Sequence, residues 1–132
     1  MIVLDSSAAV DFLIRNGRRG DWVSAHIERA TSLHAPHLID IEVAGALRRL
    51  EAETKLTHDR AALALGNLRD LALTRHPHVP FLDRIWQLRH NVTAADAAFV
   101  SLAEALDVPL LTTDRGLARA PGIALQLLAF AE

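Results

Sequence analysis

The stretch Ile2-Val3-Leu4-Asp5-Ser6-Ser7-Ala8 decides the fold, because an apolar run ends at an acid and small residues follow. Three consecutive apolar residues predict a short strand that is buried on both faces, as in a parallel sheet. The residues after Asp5 predict a helix to about Ile14, which Ser6 or Ser7 can cap. Open α/β sheets bind their ligands where strands give way to helices, so Asp5 is a candidate site residue.

The same pattern returns in Val108-Pro109-Leu110-Leu111-Thr112-Thr113-Asp114. An apolar strand at residues 110–112 is again followed by an acid, and a single helical turn is predicted at residues 115–119. Acids in this position often cap the next helix, so Asp5 and Asp114 each have a purely structural interpretation. Two strand-end acids in one small chain indicate a shared site more strongly than either acid alone.

Short apolar runs alternate with helical periods along the rest of the chain. This alternation predicts an α/β fold with a mostly parallel sheet, in a single domain of residues 1–132. Further strands are expected at residues 33–35, 73–76 and 123–127, and further helices at residues 22–31, 38–53, 57–71, 82–89 and 93–106. Residues 15–20 are predicted to form a basic loop, and Asp21 to cap the helix after it.

The composition limits the class of protein. The chain has 132 residues, no cysteine and a formal net charge of −2. A domain of this size buries roughly two thirds of its unfolded surface and needs no disulfide. The lack of cysteine excludes thiolate metal sites and favours a cytoplasmic location. No apolar run approaches the ~20 residues of a membrane helix, and no secretory leader pattern is present.

Two further acids lie in the first turns of predicted helices. Asp96 stands three residues after Thr93, as in a capping box, and it also heads an apolar stripe at positions +3, +4 and +7. An acid at the head of a core-facing stripe must be paired, protonated or bound to a cation. Glu42 lies on the shoulder of its helix's apolar stripe, where the helix dipole also favours an acid.

If these four acids meet, they require a cation. Two carboxylates ~4 Å apart repel each other by roughly 4 kcal/mol at an effective dielectric constant near 20. Oxygen ligands without thiolates indicate Mg²⁺ or Mn²⁺. Such an ion lowers the pKa of bound water and polarises a phosphoryl oxygen, which favours phosphodiester hydrolysis as the reaction. The acids in question are Asp5, Glu42, Asp96 and Asp114.

Several other residues have two open interpretations. The basic loop 15–19 can bind RNA phosphates or form a solvated turn. Arg49 shares a helix flank with Glu42, so it can contact substrate or pair with an acid. Trp22 and Trp86 occur in amphipathic helices, and the pattern favours core or interface positions over base-stacking platforms.

Four segments of the sequence, which contain the four acids, together resemble the PIN-domain ribonucleases, most closely the VapC toxins of bacterial toxin–antitoxin pairs. The resemblance follows the family's order and spacing over essentially the whole chain. Each motif is short, and the combination is specific. A local difference is Ala95, where relatives often carry an aromatic residue. The matching pieces are Ile2-Val3-Leu4-Asp5-Ser6-Ser7-Ala8, Ile41-Glu42-Val43, Asn91-Val92-Thr93-Ala94-Ala95-Asp96-Ala97-Ala98-Phe99-Val100 and Leu110-Leu111-Thr112-Thr113-Asp114.

The resemblance implies a three-layer α/β/α sandwich and an Mg²⁺- or Mn²⁺-dependent endoribonuclease. Asp5, Glu42, Asp96 and Asp114 match the family's four acidic catalytic positions. It implies Asp5 and Asp96 as principal metal ligands and Asp114 as a further ligand that, with Glu42, completes the site and orients water. Thr112 matches a hydroxyl position beside the fourth acid.

The resemblance also implies an RNA substrate, a VapB-like antitoxin in the active-site groove and a homodimer. The antitoxin commonly places an arginine near the acids, and the helical hairpin of residues 38–73 is the expected groove for its helix. The alternative is a PIN-fold module that binds nucleic acid or protein without catalysis.

Two other phosphoryl-transfer classes fit poorly. Haloacid-dehalogenase-like phosphatases need a second Asp two residues after the first, and Ser7 stands there. A response-regulator receiver needs a late lysine, and the only lysine is Lys55.

Overall fold

The computed structural model describes residues 1–123 and 125–131. The described residues form five strands, seven α-helices and a 3-10 turn at Val79–Phe81. The strands are β1 (Ile2–Leu4), β2 (Leu33–Pro36), β3 (Leu73–His76), β4 (Leu110–Thr112) and β5 (Leu127–Ala129). The helices are α1 (Ser6–Leu13), α2 (Gly17–Arg29), α3 (Leu38–Ala52), α4 (His58–Asp70), α5 (Leu82–Gln87), α6 (Ala94–Leu106) and α7 (Arg115–Ala118).

The strands form one parallel sheet in the order β3-β2-β1-β4-β5. Since parallel crossovers are right-handed, the connections on the β2–β3 side and the β4–β5 side put their helices on opposite faces. The helices α1 to α4 pack against one another in one layer, and α5 packs on α6 in the other. The α/β/α sandwich expected from the resemblance is confirmed.

The core lies on both faces of the central strands. Val3, Leu4, Leu110 and Leu111 are fully buried, as expected for strands covered on both sides by helices. Helix α6 contacts β1 and β2 and buries its middle residues, Phe99 among them. The helix is apolar but only 13 residues long. Throughout the described part of the chain, no helix combines the length and apolarity needed to cross a membrane.

The predicted basic loop at residues 15–20 is wrong, because the chain is already helical from Gly17. Asn16 is held at the start of α2 by two hydrogen bonds to Asp11, from its backbone N–H (2.9 Å) and from its side-chain amide (2.7 Å). Asp21 therefore lies inside the helix and caps nothing. Glycines and arginines in sequence resemble a turn, but this tie to α1 starts the helix early.

The last strand also differs from its predicted position at residues 123–127, of which residue 124 lies outside the described residues. The strand occupies Leu127–Ala129 and pairs Leu127 with Leu110. The preceding turn is anchored to other parts of the chain, because the Asn91 amide donates to the Pro121 carbonyl (2.8 Å) and Arg84 donates to the Gly122 carbonyl (3.1 Å). The chain must return from that anchor before it can pair.

Gly20 tests the close approach of α1 and α2. A Cβ atom at this position would lie 2.7 Å from the backbone oxygen of Asp11, so Gly20→Ala forces the two helices apart. We expect this substitution to lower the free energy of unfolding by about 1–3 kcal/mol in urea denaturation. Gly66→Ala is the matched control, because a Cβ there meets nothing within 4 Å and alanine should stabilise α4 by about 0.5–1 kcal/mol. Equal effects at both positions would contradict a tight α1–α2 contact.

Candidate active site

The sheet positions two acids side by side. Asp5 directly follows β1, and Asp114 lies two residues after β4, its parallel neighbour. The connections from β1 and β4 leave the sheet in opposite directions, so a crevice opens at the carboxyl ends of these two strands. This is the position at which open α/β sheets bind ligands.

Asp5 is buried and fully hydrogen-bonded. Its Oδ1 accepts the Ala8 N–H (2.9 Å) and the Ser7 hydroxyl (2.8 Å), and its Oδ2 accepts the Thr112 hydroxyl. Asp5 itself is therefore the N-cap of α1, and the expectation that Ser6 or Ser7 takes this role is wrong. The Asp5 side chain therefore caps α1 and also lies in the crevice, because its carboxylate points back over the first turn of α1.

The hydroxyls around Asp5 connect β1 to β4. Thr112 accepts the Asp114 N–H (3.0 Å), and Ser7 accepts the Thr113 N–H (3.1 Å). The Asp114 carboxylate in turn accepts the Gly116 N–H (2.8 Å) and caps α7. This network fixes the backbone that carries the fourth acid relative to the first.

Glu42 reaches the same crevice from α3. The Ser6 hydroxyl donates to its Oε1 at 2.5 Å, which links the side chain to the first turn of α1. Glu42 is half-buried beside the buried Val43, as its place on the shoulder of the apolar stripe predicts. Ser6 therefore positions the second acid and does not cap the helix.

Asp96 enters from α6, on the opposite side of the sheet. Thr93 caps this helix by accepting the Asp96 N–H (3.2 Å), as the capping box predicts. Partial burial raises the pKa of the half-buried Asp96 carboxyl, and the negative charges of Asp114 and then Glu42 raise it further. The charges of Asp114 and Glu42 are therefore close enough to Asp96 to change its pKa.

Burial also has the largest effect on the pKa of Asp5. It raises the pKa of this carboxyl from the ordinary 3.8 to about 6, although the hydrogen bonds from Ala8, Thr112 and Ser7 act in the opposite direction. The charge of Asp96 adds to the increase. A carboxyl group in a cleft whose pKa is raised by burial is a candidate functional group.

The four acids line one open cavity of about 700 Å³ between α1, α3 and the strand ends. Arg19 and Arg49 lie on its rim with Ile41, whose side chain is exposed. All four acids predicted from the sequence line this cavity, and their role as one site stays a prediction. The helical hairpin of residues 38–73 contributes only its first helix to this crevice, since α1 forms the other wall. The acids are Asp5, Glu42, Asp96 and Asp114.

Sequence reasoning missed a fifth acid. Asp11 is buried in α1, and its two oxygens accept the Thr113 hydroxyl (2.6 Å) and the Asn16 amide (2.7 Å). It also contributes to the wall of the cavity. A lone Asp inside an apolar helix was the available signal, because such an acid must have partners. Its bonds indicate that Asp11 positions the loop before Asp114.

The donor set fits a hard divalent cation. It consists of carboxylate and hydroxyl oxygens, and the Asp5 carboxylate is buried, where its charged form needs a cation or hydrogen-bond donors. Among residues 1–123 and 125–131, however, no three acidic or histidine side chains form a ready metal-binding group. The hydrogen bonds of Glu42 to Ser6 and of Asp114 to Gly116 hold these carboxylates against the helices. Mg²⁺ often uses only one or two carboxylates and keeps several waters, so a complete protein cage is not required.

Comparisons with known proteins identify the family and the fold of the chain. A model of the PIN domain matches residues 2–123. Ribonuclease VapC1 of Mycobacterium tuberculosis is 44% identical over 126 residues, which cover 95% of this chain and 94% of the relative. M. tuberculosis VapC20, a sarcin-ricin loop cleaving toxin, has a TM-score of 0.70 at 13% identity, covering 89% of this chain and 93% of that one. FitAB bound to an IR36 DNA fragment has a TM-score of 0.60 at 15% identity, covering 100% and 98%.

The parallel sheet, with acids after β1 and β4 at its switch point, defines an α/β protein with a ligand site at its strand ends. The family match covers residues 2–123, which is nearly the whole chain. The chain belongs to the PIN-domain family, in its VapC ribonuclease branch.

Proposed function

We propose that the protein is a metal-dependent endoribonuclease and the toxin of a toxin–antitoxin pair. The observation that carries the proposal is the meeting of four acids, from two strand ends and two helices, in one cavity. The 44% identity to Ribonuclease VapC1 supports RNA as the substrate. VapC20 is a toxin that cleaves the sarcin-ricin loop, which supports the toxin assignment through the shared fold.

In this proposal Asp5, Asp96 and Asp114 hold Mg²⁺ or Mn²⁺. When bound, such an ion lowers the pKa of its water and stabilises charge on the phosphoryl group. Ser7 and Thr112 orient the Asp5 carboxylate through their hydroxyls, and Glu42 completes the site and orients the attacking water. The water oxygen would attack phosphorus and give its proton to a carboxylate or to solvent; the bond from phosphorus to the leaving ribose oxygen would break, and that oxygen would take up a proton from solvent.

The direct test is cleavage of RNA by the purified protein. With Mg²⁺ or Mn²⁺ we expect discrete new RNA ends, mapped by primer extension, and with EDTA we expect none. Undiminished cleavage in EDTA would contradict the metal requirement, and no cleavage of total cellular RNA under any metal condition would contradict the endoribonuclease.

Three of the four acids also have a structural role, and this observation favours the alternative of a PIN-fold binding module without catalysis. Asp5 caps α1, Asp114 caps α7, and Asp96 closes the first turn of α6 with Thr93. A set of independent caps has no reason to bind a metal cooperatively. The two functions therefore differ in how the protein responds to metal.

Mn²⁺ should stabilise the protein if the acids form one site. A metal that binds only the folded state at about a hundred times its Kd adds about 2.7 kcal/mol to the free energy of unfolding. We expect a rise in Tm with Mn²⁺ in the wild type and a much smaller rise in Asp96→Asn. Asp59→Asn is the matched control, because Asp59 is an exposed acid in the first turn of α4, outside the cavity. Identical Mn²⁺ responses in all three proteins would favour separate caps.

The partner proposed is a VapB-like antitoxin that fills the cavity between α1 and α3. The apolar wall of this cavity includes the exposed Ile41, and the floor of the cavity is acidic. A helix with one arginine beside apolar residues would complement this surface. A homodimer in the cytoplasm is part of the same proposal. Sedimentation of the chain alone, and with an antitoxin encoded beside it, tests both assemblies.

A further inference from the structure

Trp86 stands on the surface, not in the core. Its side chain is 67% exposed on α5, which contradicts a core position for this residue. The guanidinium of Arg89 lies over the indole ring, 4.6 Å from the ring centroid, and its Nη1 donates to the Trp86 carbonyl at 2.8 Å. The hydrogen bond and the ring contact together place the guanidinium against the indole.

Arg89 has no acidic partner among the described residues, since its contacts there are the Trp86 ring and carbonyl. Arg84, on the helix that carries Trp86, is different, because it forms a two-pronged ion pair with Glu104 at 2.8 and 2.9 Å. The stacked guanidinium thus keeps further N–H donors for a ligand. Guanidinium groups bind phosphate through two parallel hydrogen bonds, and stacking prepares that geometry.

Arg89 also connects the surface to the acidic site. It lines a second open cavity of about 460 Å³ together with His90, Asp96 and Asp114. These two acids also line the cavity of the four-acid site, so the two cavities border each other at Asp96 and Asp114. A strand bound at the acids would continue past Arg89 toward Trp86.

We propose that Arg89 and Trp86 form a binding subsite for the RNA strand beside the cleaved bond. The inference rests on the proposed endoribonuclease function and adds where the substrate is held. The acids repel the phosphates of RNA, and Arg89 supplies a compensating positive charge on one flank. An adjacent base stacks on the exposed indole, which accepts any base because every base has a π-face.

The geometry favours nucleic acid over a second copy of the chain. Exposed Leu82 and Trp86 lie four residues apart on α5 and form an apolar stripe that a protein could also cover. Arg89 lies over the indole ring without an acidic partner among the described residues, and it borders a cavity lined by Asp96 and Asp114, which matches a phosphate chain better than an apolar protein surface. Self-association through this stripe is therefore an outcome that the experiment must detect.

The test measures RNA binding in EDTA, where cleavage cannot interfere. The probe is a mixed-sequence single-stranded RNA of about 12 nucleotides, within the length that stacking grooves bind. In Trp22→Phe protein the only indole is Trp86, and we expect RNA to quench its fluorescence. By fluorescence anisotropy, Trp86→Ala should weaken binding roughly tenfold, and Trp86→Phe, which keeps a ring, should weaken it much less.

Arg89 gives an independent readout through salt. Arg89→Ala should weaken binding and reduce the slope of log affinity against log salt by about 0.7, the value for one lost phosphate contact on a single strand. Arg89→Lys should keep the slope but lose part of the affinity, since lysine cannot stack as a planar fork. Arg69→Ala is the control for one lost charge, because Arg69 is exposed on α4 and lines neither of these two cavities.

The outcomes separate the two proposals. Wild-type affinity in Trp86→Ala and Arg89→Ala, or no quenching of Trp86, overturns the subsite even if the wild type cleaves RNA with metal. Absence of cleavage by the wild type overturns the proposed function instead. If Trp86→Ala changes the sedimentation coefficient from dimer to monomer, the surface joins two copies and the subsite is wrong. Circular dichroism of each variant shows whether its fold is retained.

Discussion

Asp5→Asn should abolish RNA cleavage while the protein remains folded. The substitution removes a buried negative charge from the proposed metal site, and we expect the rate to fall at least about a thousandfold, because metal-based charge stabilisation contributes several kcal/mol. Asparagine is an equally good N-cap, so it can still accept the Ala8 N–H at the start of α1. The measurement is initial cleavage rate at saturating Mn²⁺, with circular dichroism to verify the fold.

The matched control is Asp59→Asn, which removes one charge from an exposed first-turn acid on α4 and should cleave as the wild type does. Asp96→Asn should lose activity to a similar extent as Asp5→Asn. If Asp5→Asn retained wild-type cleavage, the activity would belong to another site or to a contaminating nuclease.

The second large effect is on stability and depends on pH. The pKa of Asp5 is about 6 in the folded protein and 3.8 in the unfolded chain, because burial disfavours the charged form. The folded state therefore holds this proton more tightly, and the stabilisation is present below about pH 4 and lost as the pH rises through 6. The two pKa values differ by about 2, which corresponds to about 3 kcal/mol at most.

We expect metal-free wild type to lose up to about 3 kcal/mol of unfolding free energy between pH 4 and pH 7, relative to Asp5→Asn. Urea denaturation at several pH values measures the difference in unfolding free energy between the wild type and Asp5→Asn. The readout is how this difference changes with pH, because the asparagine amide alters some hydrogen bonds by the same amount at every pH. A difference that does not vary with pH would mean that Asp5 titrates normally. Mn²⁺ should reduce the slope, since it displaces the same proton.

Local patterns were sufficient for most of the strands and helices. The caps Thr57, Thr93 and Asp114 each accept a backbone N–H from the first turn of the predicted helix. The apolar runs that became β1 and β4 are short, uniform and bounded by acids or threonines, so their two-sided burial was also readable. These features depend only on residues a few positions apart.

The errors arose where distant contacts decide the structure. Gly17 to Gly20 became helical because Asp11 ties Asn16 to α1, and β5 shifted because the turn before it is anchored to Asn91 and Arg84. The double role of Asp5 was missed for the same reason, since a carboxylate can cap a helix and face a cleft at once. Pairing of β1 with β4 brought the acids together, and no local pattern specifies that pairing.

The order of the strands also affects how the protein is made. Asp5 receives a hydrogen bond from Thr112, 107 positions later in the chain. At a synthesis rate of about 5–20 residues per second, the ribosome releases these two residues roughly 5 to 20 seconds apart. Until β4 pairs with β1, Asp5 does not lie in a crevice. Asp114 is synthesised only after β4.

The complete set of four acids therefore exists only after Asp114 has been synthesised and β4 has paired with β1. Under the proposed function, a nascent chain that ends before β4 lacks the fourth acid and the strand that places it beside Asp5, so we expect no RNA cleavage from it.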